Sequence, residues 1–282
     1  MTTDAVSVAI VPSRPAWRGL PWTIPFTVLW GWLIYRLPAF AESGFATMAA
    51  RLMAYGLIAL GLWLGLENSD LTPEQRRTTW LALMVPFTLW ATVAWTAAIN
   101  GVFRTGASSF PLLPAALLLP VIIGTPLLLL SKRVGHVLDA MPATWLVALQ
   151  FYRVFGVQWI VGWLRGVQPG LWALPAGTGD VLTGLFAVSA AIAVAADTAE
   201  GRRAAIFWNI FGLADFAVAI PLGMITSPGL FQLIVPNTSV AVDAFPNVLT
   251  PAFVVPSSIL LHVLSLRQLR RRSRAELAER VA

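Results

Sequence analysis

The run ATWLVALQFYRVFGVQWIVGWL, from Ala143 to Leu164, holds one charged residue, Arg153, close to its centre. An α-helix of that length crosses a hydrocarbon core of about 30 Å at about 1.5 Å per residue. A guanidinium at such depth costs roughly 2.5–3.5 kcal/mol on insertion scales, so it demands a buried carboxylate, a wet cavity or a bound anion. The run predicts both a membrane-crossing helix and a polar centre built around it.

Comparable apolar runs recur on either side: approximately Leu20–Ala39, Met48–Leu66, Thr79–Ile99, Leu112–Leu130, Gly179–Ala196, Ala204–Met224 and Asn247–Leu266. Of 282 residues, 57% are hydrophobic and 11% charged, and the mean hydropathy is +0.75. Soluble domains carry about 25% charged residues. The expected fold is an all-α integral membrane bundle of eight transmembrane helices with both termini inside. It forms one domain over residues 1–282: a four-helix scaffold half (1–135), a polar-centre half (136–269) and a basic cytoplasmic tail (270–282).

Charge orients this arrangement. With the N-terminus inside, fourteen of the 19 Lys and Arg fall on the inner side, against Arg36, Arg51, Arg104 and Arg165 outside, as the positive-inside rule requires. Removing the first run, which Pro21, Pro25 and Arg36 weaken, moves Arg14 and Arg18 outward and erodes the bias, so eight spans are preferred to seven. Met1–Pro12 has no basic start and too short an apolar stretch for a signal peptide, and is expected to remain a short cytoplasmic tail.

Net charge is +6 and the pI near 10.9, but the basic residues are dispersed over inner loops and one tail. The expected partner is therefore the lipid bilayer with anionic inner-leaflet lipid, not nucleic acid. The tail Arg267–Arg274 reads either as a topology anchor or as a basic helix on the inner leaflet. Oligomerisation is left open.

Several chemistries drop out. With no Cys there is no disulfide, thiolate catalysis or thiolate metal site. Lys132, the only lysine, lies in an inner loop, which excludes a retinal Schiff base. No Asp-rich magnesium site or Gly-x-Ser-x-Gly turn occurs. No metal or cofactor is predicted, though the two histidines, His136 and His262, leave haem open.

Polar residues concentrate in the second half. Gln150 and Arg153 are i and i+3, while Asn209, Gly212 and Asp215 step round an arc of about 120°. Arg153 and Asp215 fall near the midplane about one turn apart in height, which predicts an ion pair. Pro251 and Pro256 break the last run, where Ser258, His262 and Ser265 form a hydroxyl–imidazole–hydroxyl stripe suited to relaying protons. Two outer connections stand out. In Arg165–Gly179, Gly177 and Gly179 predict a tight turn, with Asp180 capping the next helix. In Thr226–Pro246, Ser227-Pro228 looks like a helix start, Leu230–Val235 like an interfacial lid, and Asp243 lies at the mouth. In the first half, Gly61 and Gly65 predict close helix packing, and Thr88, Thr92 and Thr96 predict hydroxyls bonded to their own helix.

Gly177-Thr178-Gly179-Asp180 matches the G-x-G-D string of intramembrane aspartyl proteases. No Tyr-Asp precedes it, and the expected heights separate Asp180 from Asp215 too far for a dyad at about 3 Å.

The segments Gln150-Phe151-Tyr152-Arg153, Pro175-Ala176-Gly177-Thr178-Gly179-Asp180, Trp208-Asn209-Ile210-Phe211-Gly212 and His262-Val263-Leu264-Ser265-Leu266 resemble a group of uncharacterised polytopic bacterial inner-membrane proteins. The resemblance covers roughly Leu146 to Leu269 and implies an eight-helix or similar fold in a bacterial inner membrane, with no activity attached. The leading functional reading is a carrier or ligand-binding protein for an unknown small ligand or ion. Its path is lined by Gln150, Arg153, Asn209, Asp215 and His262, with Asp180 and Asp243 at the outer mouth. The rival is a non-transporting assembly or sensor subunit in which Arg153 and Asp215 only lock helices; a haem protein and an intramembrane enzyme are the remaining alternatives.

Overall fold

The computed structural model describes residues 18–37, 39, 44–236 and 242–281, the last seven of these as backbone only. The tail Met1–Pro12 lies outside the described residues. Regular structure among them is helical throughout, with no strand. The elements are α1 (Leu20–Arg36), α2 (Phe45–Glu67), α3 (Pro73–Ile99), α4 (Leu112–Leu130) and the short α5 (Lys132–Ala140). A broken helix follows, made of α6 (Ala143–Ala148), a 3-10 segment (Leu149–Gly156) and α7 (Val157–Leu164). The chain continues with α8 (Gly170–Ala195), α9 (Ala199–Thr226), a π-helical turn (Thr250–Val254) and α10 (Val255–Val281).

Among the described residues, six helices are long and apolar enough to cross a membrane: α2, α3, α4, α8, α9 and the stretch Thr250–Arg274. The other two predicted runs are helical but fall short of an uninterrupted span. α1 has only 17 residues. The Ala143 run is divided by its 3-10 segment, which rises about 2.0 Å per residue and so gives the whole run a reach of roughly 35 Å despite the break. Large apolar side chains face outward on these helices, among them Leu89 of α3 and Ile122 and Leu127 of α4, all more than 60% exposed.

Helix ends follow local chemistry. Thr72 and Gln75 form a reciprocal capping box at α3, with Pro73 at the first helical position. At the opposite end of the chain, Arg267 Nη2 donates to Ser131 O (2.9 Å), and Gln268 Nε2 donates to Leu138 O and Met141 O (both 2.5 Å). Arg272 Nη2 also reaches Met141 O (3.0 Å), and Arg271 Nε bonds Asp139 (2.8 Å). Leu138 O and Met141 O are carbonyls that the C-terminus of α5 leaves without helical partners. Part of the basic tail is thus a staple across the ends of α4 and α5, and α10 runs on through it without interruption.

The two outer connections differ from expectation. α8 begins at Gly170, so Gly177, Gly179 and Asp180 lie inside a helix. Its glycines serve close approach, not turning. A methyl group at Gly184 would meet Val154 N at 2.4 Å, and one at Gly177 would meet Gly156 O at 3.1 Å, so α8 crosses the 3-10 segment backbone to backbone. Ser227-Pro228 ends α9 instead of starting a helix, since Ser227 N donates to Gly223 O (3.0 Å). The segment beyond is irregular, and Leu233 N and Ile234 N both bond Ile225 O (2.9 Å). In the first half, Gly61 receives Leu149 of the broken helix and Gly65 receives Met141, at the end of α5. The threonine stripe faces outward, and Thr92 Oγ1 donates to Thr88 O (2.9 Å).

Candidate functional site

In a 3-10 helix, residues i and i+3 eclipse one another. The segment Leu149–Gly156 therefore aligns Gln150, Arg153 and Gly156 on one ridge, and all three are buried. Gln150 Nε2 donates to Ser258 O of α10 (2.9 Å). Gly156 faces Asp180 of α8, whose Cβ would be 2.3 Å from a methyl placed there. Between them Arg153 reaches into a junction of α8, α9 and α10.

Four groups receive the guanidinium. Nε donates to Asp180 Oδ1 (2.7 Å), Nη2 bonds Asp215 Oδ2, and Nη1 bonds both Gly212 O (3.0 Å) and His262 Nε2 (3.1 Å). The Phe216 ring lies under the guanidinium carbon at 4.0 Å. The expected pairing with Asp215 is present, and Asp180 joins it. Asp180 is neither a cap nor a mouth residue, because the helix it was expected to start begins ten positions earlier. Nor are the two aspartates separated in height: both carboxylates meet the same guanidinium, which supplies the donors that a shared proton would supply in a protease dyad.

The histidine's tautomer follows from its neighbours. Arg153 can only donate, so His262 Nε2 accepts, and Nδ1 carries the proton to Asn209 Oδ1 (2.9 Å). Asn209 Nδ2 then donates to Ala205 O (2.8 Å) and Ser265 Oγ (3.1 Å), which satisfies the amide completely. Trp208 stacks beside the imidazole at 5.2 Å and donates to Thr183 O (3.0 Å). The predicted Ser258–His262–Ser265 relay is not a bonded chain. Ser258 Oγ pairs with Tyr152 OH (2.7 Å), and Ser265 reaches His262 only through Asn209.

A second arginine belongs to this centre. Arg51, placed among outer residues by the charge count, lies inside α2, is 4% exposed and donates to Thr250 Oγ1 of the π-turn (2.5 Å). With Asp180, Tyr152 and Ser258 it lines a void of about 20 Å³, and its Nε has no hydrogen-bond partner. Two arginines and two aspartates thus balance in charge, and the scaffold half contributes one of the four.

Above the carboxylates lies a cavity of about 330 Å³ between α4 and α9. Asp180 and Asp215 line it at one end, and the segments 102–111 and 227–231 line it elsewhere. Its walls include Leu113 and Leu117 of α4, Trp159, Trp172 and Phe216. Asp243 also lines it and accepts hydrogen bonds from Thr105 N (3.0 Å) and Oγ1 (2.9 Å), which ties the two segments together. Of the five residues predicted to line a path, only Asp215 faces this cavity. Gln150, Arg153, Asn209 and His262 are packed behind the carboxylates. Among the described residues no cluster of His, Asp and Glu could hold a metal ion, and His136, in α5, is exposed, whereas His262 is fully buried.

No curated protein and no solved structure matches the chain. A family described as a domain of unknown function, DUF8737, matches residues 127–270, just over half of the chain and the part that carries Arg153, Asp180, Asp215, Asn209 and His262. The chain belongs to this family of unknown function, DUF8737.

Proposed function

We propose that the protein is an eight-pass membrane protein of the bacterial inner membrane, with both termini inside, that binds a small molecule in the cavity above Asp180 and Asp215. The observation that carries the binding reading is the cavity itself: it has the volume of a small-ligand site and largely apolar walls, with Asp180 and Asp215 at one end. Arg153 acts from behind, holding both carboxylates in place without touching the ligand. Anionic lipid at the inner surface is the second partner, met by the exposed Lys132, Arg133, Arg270 and Arg274.

The eight-pass arrangement is supported by which ends meet. Thr105 with Asp243, and Thr47 with Asn247 (3.4 Å), join connections assigned to the outer side. Arg267, Gln268 and Arg272 join the assigned inner ends of α4, α5 and α10. Since the chain lacks Cys, single cysteines at the exposed Asp70 and Ser108 test the topology. Labelling of Ser108→Cys from outside and of Asp70→Cys only after permeabilisation is expected; the reverse pattern overturns it. For the cavity, native mass spectrometry of the purified protein should find a bound small molecule that disappears when Ala219, in the cavity wall, is replaced by Phe. A protein that is empty both before and after that change, and that no small molecule stabilises, is a helix-locked assembly subunit instead.

A further inference from the structure

We infer that the cavity recognises a cationic head group, an ammonium carried on an apolar body; this rests on the binding reading above. The argument begins with the uncommitted oxygens. Asp180 gives Oδ1 and Asp215 gives Oδ2 to Arg153, and among the described residues no group donates to Asp180 Oδ2 or Asp215 Oδ1. Both residues line the cavity, the Asp180 side chain 19% exposed and that of Asp215 5%. Gly179 makes this geometry available, because a methyl group there would lie 1.8 Å from Asp215 Oδ1.

Charge is layered across the site. The carboxylates face the cavity, while Arg153 and Arg51, which compensate them, sit behind and do not line it. A group at that end of the cavity therefore meets two acceptors before it meets Arg153 or Arg51; Arg104 also lines the cavity, in the segment 102–111, and with Asp180, Asp215 and Asp243 leaves acidic groups in excess along the wall. A carboxylate or phosphate head placed against Asp180 and Asp215 would face repulsion at short range, whereas an ammonium there can donate to the oxygens that Arg153 leaves free. The flanking walls suit the same charge. Trp159 and Trp172 pack edge to face at 4.9 Å beside the carboxylates, and Phe216 completes an aromatic surface of the kind that attracts cations. The leucines of α4 along the remaining wall suit an apolar body.

The test uses three probes with one apolar body and different heads: 4-phenylbutylamine, 4-phenylbutanol and 4-phenylbutyrate. Each is titrated calorimetrically into the full-length protein in lipid nanodiscs. The amine is expected to bind at least tenfold more tightly than the other two, with binding weakened at least tenfold in Asp215→Asn and abolished in Ala219→Phe. Asp180→Asn provides the same comparison if Asp215→Asn cannot be recovered. If the alcohol or the acid binds as tightly as the amine and Ala219→Phe abolishes that binding, the cavity reading stands and the cationic preference falls. Amine binding that survives Ala219→Phe, or is indifferent to both aspartate changes, also overturns the inference. If none of the probes binds and nothing copurifies, the cavity reading falls with it.

Discussion

Replacing Arg153 by Met removes the one group that touches Asp180, Asp215, Gly212 and His262 together. Breaking a buried ion pair from one side costs about 3–5 kcal/mol, because the remaining charge stays buried without compensation. At roughly 2–4 °C per kcal/mol for a large domain, the unfolding midpoint should fall by about 10 °C. The structure also says which second change restores stability. Arg51 lines the small void together with Asp180, whereas Asp215 does not line it. Without Arg153, Asp180 retains a neighbouring cation and Asp215 has none. Arg153→Met/Asp215→Asn should therefore recover more than half of the loss, and Arg153→Met/Asp180→Asn distinctly less. Thermal unfolding in detergent, followed by tryptophan fluorescence across this set, measures the coupling directly. A shift below about 2 °C for Arg153→Met would show that the guanidinium is not structurally required. Equal rescue by the two asparagines would refute the place given to Arg51.

Three further outcomes follow from individual contacts. Gly179→Ala should destabilise by about 1–3 kcal/mol by driving Asp215 off Arg153, while Gly56→Ala, where a methyl group meets nothing within 4 Å, should be neutral or stabilising; parallel thermal unfolding compares them. His262→Phe leaves one Arg153 N–H and the Asn209 carbonyl without a partner and should cost about 1–3 kcal/mol, whereas His262→Gln, which keeps a donor and an acceptor, should cost less in the same assay. The hydrogen bond from Arg271 holds the Asp139 carboxyl below its ordinary value, so its stabilisation is fully present above the unfolded carboxylate range and is lost as pH falls through the lower folded value. Both partners are more than 40% exposed, so wild type and Asp139→Asn should differ by less than about 1 kcal/mol at pH 7 and converge as the pH falls below the folded value.

Much of the helical layout was legible because apolar length is a one-dimensional signal. All eight predicted runs are helical, and the pairing of Arg153 with Asp215 followed from depth alone. What escaped was rotation and local winding. Gly177 and Gly179 read as turn formers because glycine permits both turns and close contacts, and only the backbone of Val154 facing α8 decides between them. That choice moved Asp180 from a helix end into the polar centre. Arg51 escaped for a related reason. It stands within an apolar run near the predicted outer surface, where an arginine could equally turn to water, and its inward aim depends on Thr250 in a π-turn that no periodicity announced. An acceptor on a proline-broken helix was the only available hint.

The position of Arg153 behind the carboxylates also removes an apparent choice posed by the sequence, between a helix lock and a binding group. A guanidinium whose Nε, Nη1 and Nη2 are all committed to protein acceptors has little left to offer a ligand, which favours the lock. Yet the same commitment holds Asp180 and Asp215 in the wall of a largely apolar cavity with one oxygen of each left free of Arg153, which a locking pair alone does not require. A lock could be replaced by well-packed apolar residues at little cost or even with a gain of stability. Two carboxylates on one arginine, with a further arginine behind and an aromatic wall in front, cannot be replaced in that way without losing the cavity's polar end. The neutral triple variant Arg153→Met/Asp180→Asn/Asp215→Asn separates the two roles: it should approach wild-type stability while losing the bound small molecule, and a variant that keeps the ligand would place recognition elsewhere in the cavity.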